Sequence, residues 1–290
     1  MVLTRSFVRA KRPCTDGFRW FVRQFGEGGN YQRMIDEMVA AGRVGDACWL
    51  LDQFGPTDEV RRVDAIDDDA MVFAGTLEVR GNVDVEGIVR VGRSLHVGGG
   101  LRVGGDLNVN ADLRVEGGVR AESRLQVGGD LRAGWGVDCA GELRCDGELR
   151  TGWELHCAGP LRIAGNAFVG LDLHADEGIR CGKGLHAGGD IVVATSLHAR
   201  HGILAGGSIR AGLHLEAGWG IKAGTDITAA GAIRAGESLI AGETIRAGDG
   251  YGVFAGLSVP VAAWESSARV SASAQPDGLM SGHWASAAAC

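Results

Sequence analysis

Proline and tyrosine are scarce: the 290 residues hold 5 prolines and 2 tyrosines beside 49 glycines. Abundant glycine with so little proline excludes collagen and the usual Pro/Gly-rich disorder. Long apolar runs are missing too, and nothing approaches the ~20 residues of a transmembrane helix. The opening MVLTRSFVRAKRPC is basic but has no apolar stretch of signal-peptide length. Seven cysteines (Cys14, Cys48, Cys139, Cys145, Cys157, Cys181, Cys290) form no C-x-x-C pair and leave one over. That count argues against a disulfide framework or a four-cysteine zinc site, so a reduced, cytoplasmic chain is expected. A net charge of −7 lacks the positive excess of a protein that binds nucleic acid through bulk charge, and no nucleic-acid partner is expected.

What the chain does contain is a period. In LRVGGDLNVN, residues 101–110, Leu101 and Leu107 lie six apart, as do Val103 and Val109. Stepping by six gives Leu77, Val83, Val89, Leu95, Leu101, Leu107 and Leu113, and the series continues through Ile245 to Leu257 with Ala167 as its one small member. A second series two residues on runs from Val79 and Val85 to Ala241 and Ala247. Apolar residues two apart share one face of a strand, so the residue between them, most often arginine, points outward. The next two positions are mostly glycine, which suggests corners with positive φ. Three such hexads close a triangle of eighteen residues, and stacked triangles make a parallel β-helix. Residues 77–256 hold thirty hexads, or ten coils, about 48 Å of rod at roughly 4.8 Å per coil. A helix or a leucine-rich repeat fails on period. The glycine clusters recur throughout with no following helix and no GKS or GKT, so they are corners and not a phosphate loop. Cys139, Cys145 and Cys157 fall in the second apolar series and read as small core residues, with Cys139 and Cys157 stacked one coil apart.

The period changes at both ends. Phe18, Phe21, Val22 and Phe25 follow helical spacing after Thr15 and Asp16 as capping residues. Tyr31, Met34, Ile35, Met38 and Val39 repeat it, with Asn30 as N-cap and Gly42 at the stop. GDACWLLDQFGPT reads as a short third helix. The expected organisation is a helical cap or adaptor unit over 1–64, a parallel β-helix over 65–256, and closing strands with a mobile tail over 257–290. A cap answers the open edge that a β-helix presents, which would otherwise template aggregation.

The eighteen-residue turn predicts which outward side chains stack. Arg114, Arg132 and Arg150 share a face beside Asp112, Asp130 and Glu148, a pair of ladders that neutralises itself. Arg144, Arg162 and Arg180 stack on another face with fewer acidic neighbours, which makes Arg162 and Arg180 contact candidates for an anionic group. His156 and His174 stack on the third face. His198 lies below Glu216, with His214 nearby, a donor set that could hold zinc. However, histidine there fills a slot that elsewhere takes Arg, Asn, Gln, Thr or Asp, so no metal or other cofactor is expected. Trp135 and Trp153 replace corner glycines one coil apart, with Leu171 next above, while Trp219 lies on a different face. An exposed ridge of Trp135, Trp153 and Leu171 is a candidate contact surface.

The runs VGGDLRAGWG, GGDLNV and AGGDIVV resemble those of bactofilins, bacterial cytoskeletal proteins with a triangular β-helix core. The likeness covers 77–256. It implies a bacterial, cytoplasmic, non-enzymatic scaffold that associates with itself or with a protein partner. Bactofilin cores usually carry short disordered tails, whereas this chain carries a helical unit. VGGDLN at 103–108 also resembles the repeat of hexapeptide acyltransferases, trimeric left-handed β-helices with a histidine base, although its fifth place holds Leu where a small residue is usual. No loop interrupts the hexads to supply such a histidine. A DNA-mimicking rod would need an acidic stripe, but 77–256 holds 22 acidic and 18 basic residues spread over three faces.

Overall fold

The structure, a computed structural model, describes residues 1–286. The end of the expected mobile tail, 287–290, including Cys290, lies outside the described residues. From Val60 onward the chain winds as a parallel β-solenoid of about 12 coils, two more than the hexad run contains, or roughly 58 Å of rod. Its three walls are parallel sheets of 13, 11 and 12 strands, here called sheets I, II and III. Sheet I begins at Val60–Val63, sheet II at Ile66–Asp68 and sheet III at Met71–Phe73. Most rungs are three residues long and pair with the rung eighteen residues on, as Leu101↔Val119 and Leu107↔Leu125 do. From Leu77 on, the first and third apolar residues of each three-residue rung point inward. Leu107, Val109, Leu125 and Val127 are all fully buried, each worth about 1.5–3 kcal/mol against exposure.

The extra coils come from segments where the hexad fails. Val60 pairs with Thr76, and Leu239 pairs with Val270 across a longer excursion that contains a short helical turn at 261–267. The first rung, 60–63, thus lies on the N-terminal side of the division expected at 64/65. Toward the C-terminus, Arg269–Ser271, Leu279–Ser281 and His283–Trp284 extend sheets I and III. Leu279 and Trp284 pack against the end of the core.

The corner glycines do not use positive φ, contrary to the sequence-based expectation; none between residues 56 and 249 lies in the left-handed region. Where glycine does stand at a corner, the closeness of the coils leaves no room for a Cβ, although the same positions in other coils hold Arg80, Glu116 and Trp135. A Cβ on Gly117 would sit 2.8 Å from the Gly99 carbonyl oxygen, and one on Gly98 would overlap the Arg80 carbonyl.

Ahead of the rod lie four helices, α1 (Arg5–Ala10), α2 (Thr15–Phe25), α3 (Tyr31–Ala40) and α4 (Val44–Phe54). An antiparallel pair, Val2–Thr4 with Gly28–Asn30, ties α1 to the α2–α3 connection. Neither α1 nor this pair follows from apolar spacing. The α2 cap is Cys14, whose Sγ accepts from Gly17 N at 3.2 Å, and Thr15 begins the helix instead of capping it. Asn30 caps α3 through Arg33 N at 3.0 Å, and Gly42 and Gly55 turn the chain after α3 and α4 with φ of 70° and 75°.

This helical unit grips the rod at the edge of sheet III. The strand Met71–Phe73 is the terminal strand of that sheet, yet its outward Val72 is 1 % exposed beneath α3 and α4. Gln32, 4 % exposed, supplies the hydrogen bonds that a further strand would make. Its Nε2 donates to Val72 O at 3.2 Å, and its Oε1 accepts from Ala74 N at 2.8 Å. Thr57 N donates to Ala74 O at 2.9 Å. Inside the triangle, fully buried Phe73 fills the N-terminal end, with the Arg61 guanidinium 4.6 Å from its ring centroid. Arg61 also pairs with Asp36 of α3 at 2.9 Å, and Arg90 pairs with Asp52 of α4.

Candidate interaction surfaces

The outer surface is built from two kinds of position: the middle residue of each rung and the corner residues. At the corner between sheets I and II, Trp135 and Trp153 stack with ring centroids 5.4 Å apart and planes 7° apart. They are 55 % and 51 % exposed, and Leu171 continues the ridge at 47 %. The backbone sets this stacking, since Trp153 N bonds to Trp135 O and Leu171 N to Trp153 O, both at 3.3 Å. Thr151 Oγ1 donates to Trp153 O at 3.0 Å and fixes the corner from inside.

Arg162 and Arg180 lie in register with Arg144 on sheet III. In a triangular section that wall is opposite the tryptophan corner, so the fold does not bring the two candidate sets together. Nor do the guanidiniums converge on an anion. Arg162 pairs with Glu142, and Arg144 with Asp146 at 2.9 Å. Arg180 has no carboxylate partner among the described residues.

The histidines are divided as well. His198 Nδ1 lies 3.6 Å from Glu216 Oε2 on sheet III. His214 sits at a corner, where its Nδ1 accepts from Ala232 N at 3.1 Å and its ring meets Tyr251 edge-on at 5.6 Å. That nitrogen is committed to the backbone of the next coil. Among the described residues no group of three or more His, Cys, Asp or Glu side chains is disposed to hold a metal ion. On sheet II, His156 Nδ1 bonds to Asp138 Oδ1 at 3.0 Å, with its ring 5.9 Å from that of His174. The bond to Asp138 lifts the His156 imidazole above its ordinary pKa.

Several polar side chains that read as solvated have a structural duty. The residue just before a rung accepts, through its side chain, the backbone N–H at the same position one coil later. Asn82 serves Gly100 at 2.9 Å, Asp112 serves Asp130 at 2.9 Å, Asp130 serves Glu148 at 2.9 Å, and Asp172 and Asp190 serve Asp190 and Ser208 at 2.7 Å each. Asp106 accepts from Ser123 Oγ at 2.6 Å and from Arg124 N, and these bonds hold its carboxyl below the usual range. The buried thiols do related work from inside, with Cys145 donating to Gly129 O and Cys157 to Gly141 O, both at 3.3 Å. Burial pushes the Cys145 thiol up to about 11 and raises Cys181. Contact with the Cys139 thiol, and then burial, raises Cys157.

A second apolar area escapes a reading by single residues. In the C-terminal half of sheet I the outward slots hold Phe168, His186, Leu204 and Ile240, with Lys222 among them. They floor a shallow groove of about 410 Å³, and Trp219, stacked on His201 with centroids 4.1 Å apart, forms one wall. The signal was present in sequence as Phe168, Leu204 and Ile240 recurring every second coil in one column.

No helix among the described residues is long and apolar enough to cross a membrane. The family described as the YdhT N-terminal domain matches residues 1–54, which end where α4 ends. No curated protein and no solved structure matches the chain.

Proposed function

We propose that this chain is a non-enzymatic interaction rod, closed at its N-terminal end by the helical unit and displaying contact surfaces along its walls. The carrying observation is the uninterrupted register of the solenoid: from Met71 to Ile245 the hexads run without an inserted loop, and the core uses only the inward residues. Middle residues of the rungs outside the seam with the helical unit are therefore free to vary without loss of the fold. The match to a separate family over 1–54 supports reading the helical unit as a module joined to a rod. The likeness to bactofilins supports a scaffold role. Gln32 and Val72 argue that growth by strand addition is blocked at the edge of sheet III, which is already paired and covered.

Sedimentation velocity with negative-stain imaging tests this on the full chain and on a version starting at Thr57, which keeps the bonds from Thr57 and Glu59 to the first coil. The full chain should be discrete short rods, and the shortened chain should join through its uncovered edge. Filaments of the full chain would overturn the closed end. A compact trimer in both samples would replace the rod by the acyltransferase reading.

A further inference from the structure

The helical unit also carries a hollow whose lining includes no residue of the rod. There the α1–α2 connection, α2, α3 and α4 leave a partly enclosed cavity of about 300 Å³. Phe21, Met38 and Leu50 make its buried interior, and Phe18 and Trp49 are half-buried around it. This is the small, mostly apolar kind of hollow that takes one bulky side chain or a small ligand. Its lining holds one charged side chain, Asp46, which Arg43 pairs at 2.5 Å, while the chain flanking the lining residues of α1 and α2 is basic. Residues 1–25 carry six basic side chains (Arg5, Arg9, Lys11, Arg12, Arg19, Arg23) and a single acid, Asp16, in a chain whose net charge is −7. Arg5 pairs with Glu27, Lys11 leans over the Phe54 ring at 5.6 Å, and Asp16 is taken by Arg43. Among the described residues Arg9, Arg12, Arg19 and Arg23 have no carboxylate partner, and all four are exposed. Arg12, next to Pro13 at the mouth, is held at a left-handed φ of 55°, which is uncommon for a residue with a side chain. Next to the lining Val8, Phe7 adds apolar surface outside the cavity and is 62 % exposed. An occupant that used only the hollow would leave it uncovered.

We infer that this cavity docks an acidic segment of a partner protein, which buries one bulky apolar side chain among Phe18, Phe21, Met38 and Trp49 and sets its carboxylates against Arg9 and Arg12. Charge complementarity selects the acidic partner, and the apolar surface beyond the mouth favours a polypeptide over a small amphiphile. The inference deepens the interaction-rod reading, since the module that closes the rod then also recruits. Its test is separate from rod assembly.

The probe is a random linear peptide library displayed on phage, selected on the full chain and counter-selected on Gly45→Leu. Gly45 lines the mouth near the start of α4 with nothing within 4 Å of where a Cβ would stand, so the new side chain enters open space and favours the helix. Recovered peptides should combine several Asp or Glu with one Phe, Trp or Leu. They should bind Gly45→Leu at least about tenfold more weakly, and Arg9→Gln with Arg12→Asn weaker by a similar factor. That affinity should fall as salt rises. Peptides without an acidic excess, or peptides that bind Gly45→Leu unchanged, would overturn the inference. So would no enrichment over the counter-selected background, or a monomeric dodecanoate probe that binds more tightly than every peptide.

Discussion

Replacing Gln32 by methionine should loosen the seam between helical unit and rod without emptying it. Methionine matches glutamine in length and keeps the apolar packing, but it carries neither donor nor acceptor. Two backbone groups then lose their only described partner: Ala74 N–H, now 2.8 Å from Gln32 Oε1, and Val72 C=O, now 3.2 Å from Nε2. Val72 and Ala74 are 1 % and 0 % exposed, so water cannot replace the amide without opening the seam. An orphaned buried group costs about 1–3 kcal/mol, and the two together about 2–4 kcal/mol after some relaxation. Native-state amide exchange reads this directly, because the Ala74 amide should exchange roughly thirtyfold to several hundredfold faster. Asp36 loses the bond from Gln32 but keeps Arg61, so the change should stay local to the seam. Unchanged exchange at Ala74 would mean that the edge is satisfied by something other than Gln32, and the account of the closed end would fail. Gln32→Glu adds a pH arm. It keeps an acceptor for Ala74 N–H but sets a carboxylate near Asp36, and burial with a like charge raises the introduced group's folded pKa. Its stability relative to the parent should therefore recover as pH falls and be lost as pH rises through that value.

Gly98→Ala should destabilise by about 1–3 kcal/mol because its Cβ meets the Arg80 carbonyl, whereas Gly100→Ala, with 3.8 Å of clearance, should be close to neutral. Equal urea midpoints for the two would refute close approach as the reason for corner glycine. Asp190→Ala should cost about 1 kcal/mol by freeing Ser208 N–H, and Asp190→Asn should cost little, since an amide oxygen accepts equally well. A midpoint shift as large for Asn as for Ala would show that charge matters there and not the bond. Thiol labelling at mildly alkaline pH should modify Cys14 and spare Cys139, Cys145, Cys157 and Cys181. The Cys145 thiol titrates at about 11 when folded, above the 9 of a free thiol, so it adds stability below pH 9 that is lost as pH rises toward 11. Stability rising across that window, or ready labelling of Cys145, would contradict its burial.

The rod was legible because its core is written twice per hexad. Each inward slot must be apolar wherever a three-residue rung turns inward, so a period of six survives every change of outward residue. The reason for the corner glycines was not legible, since left-handed backbone and close coil contact both ask for a missing Cβ. The corner acceptors look like any solvent-facing polar residue until the partner eighteen residues away is known; Asp112 and Asp130 read as half of a charge ladder and are backbone acceptors. Gln32 was out of reach, because its partners lie 40 and 42 residues on in a different kind of structure. The tryptophan ridge was legible as a stack, since corner residues eighteen apart must overlie one another. Its separation from Arg162 and Arg180 needed the triangular section.

A solenoid with a fixed coil length turns sequence distance into both length and bearing. Eighteen residues advance the chain about 4.8 Å and restore the heading. Deleting a single hexad from the middle of the rod would leave every inward slot filled by the same class of residue. It would nevertheless swing all later walls by a third of a revolution about the axis, carrying the Phe168–Leu204–Ile240 groove from sheet I to a neighbouring wall while the N-terminal module stayed in place. Deleting three hexads would only shorten the rod. In this molecule, indel length sets the angle between whatever the module holds and whatever the far coils hold.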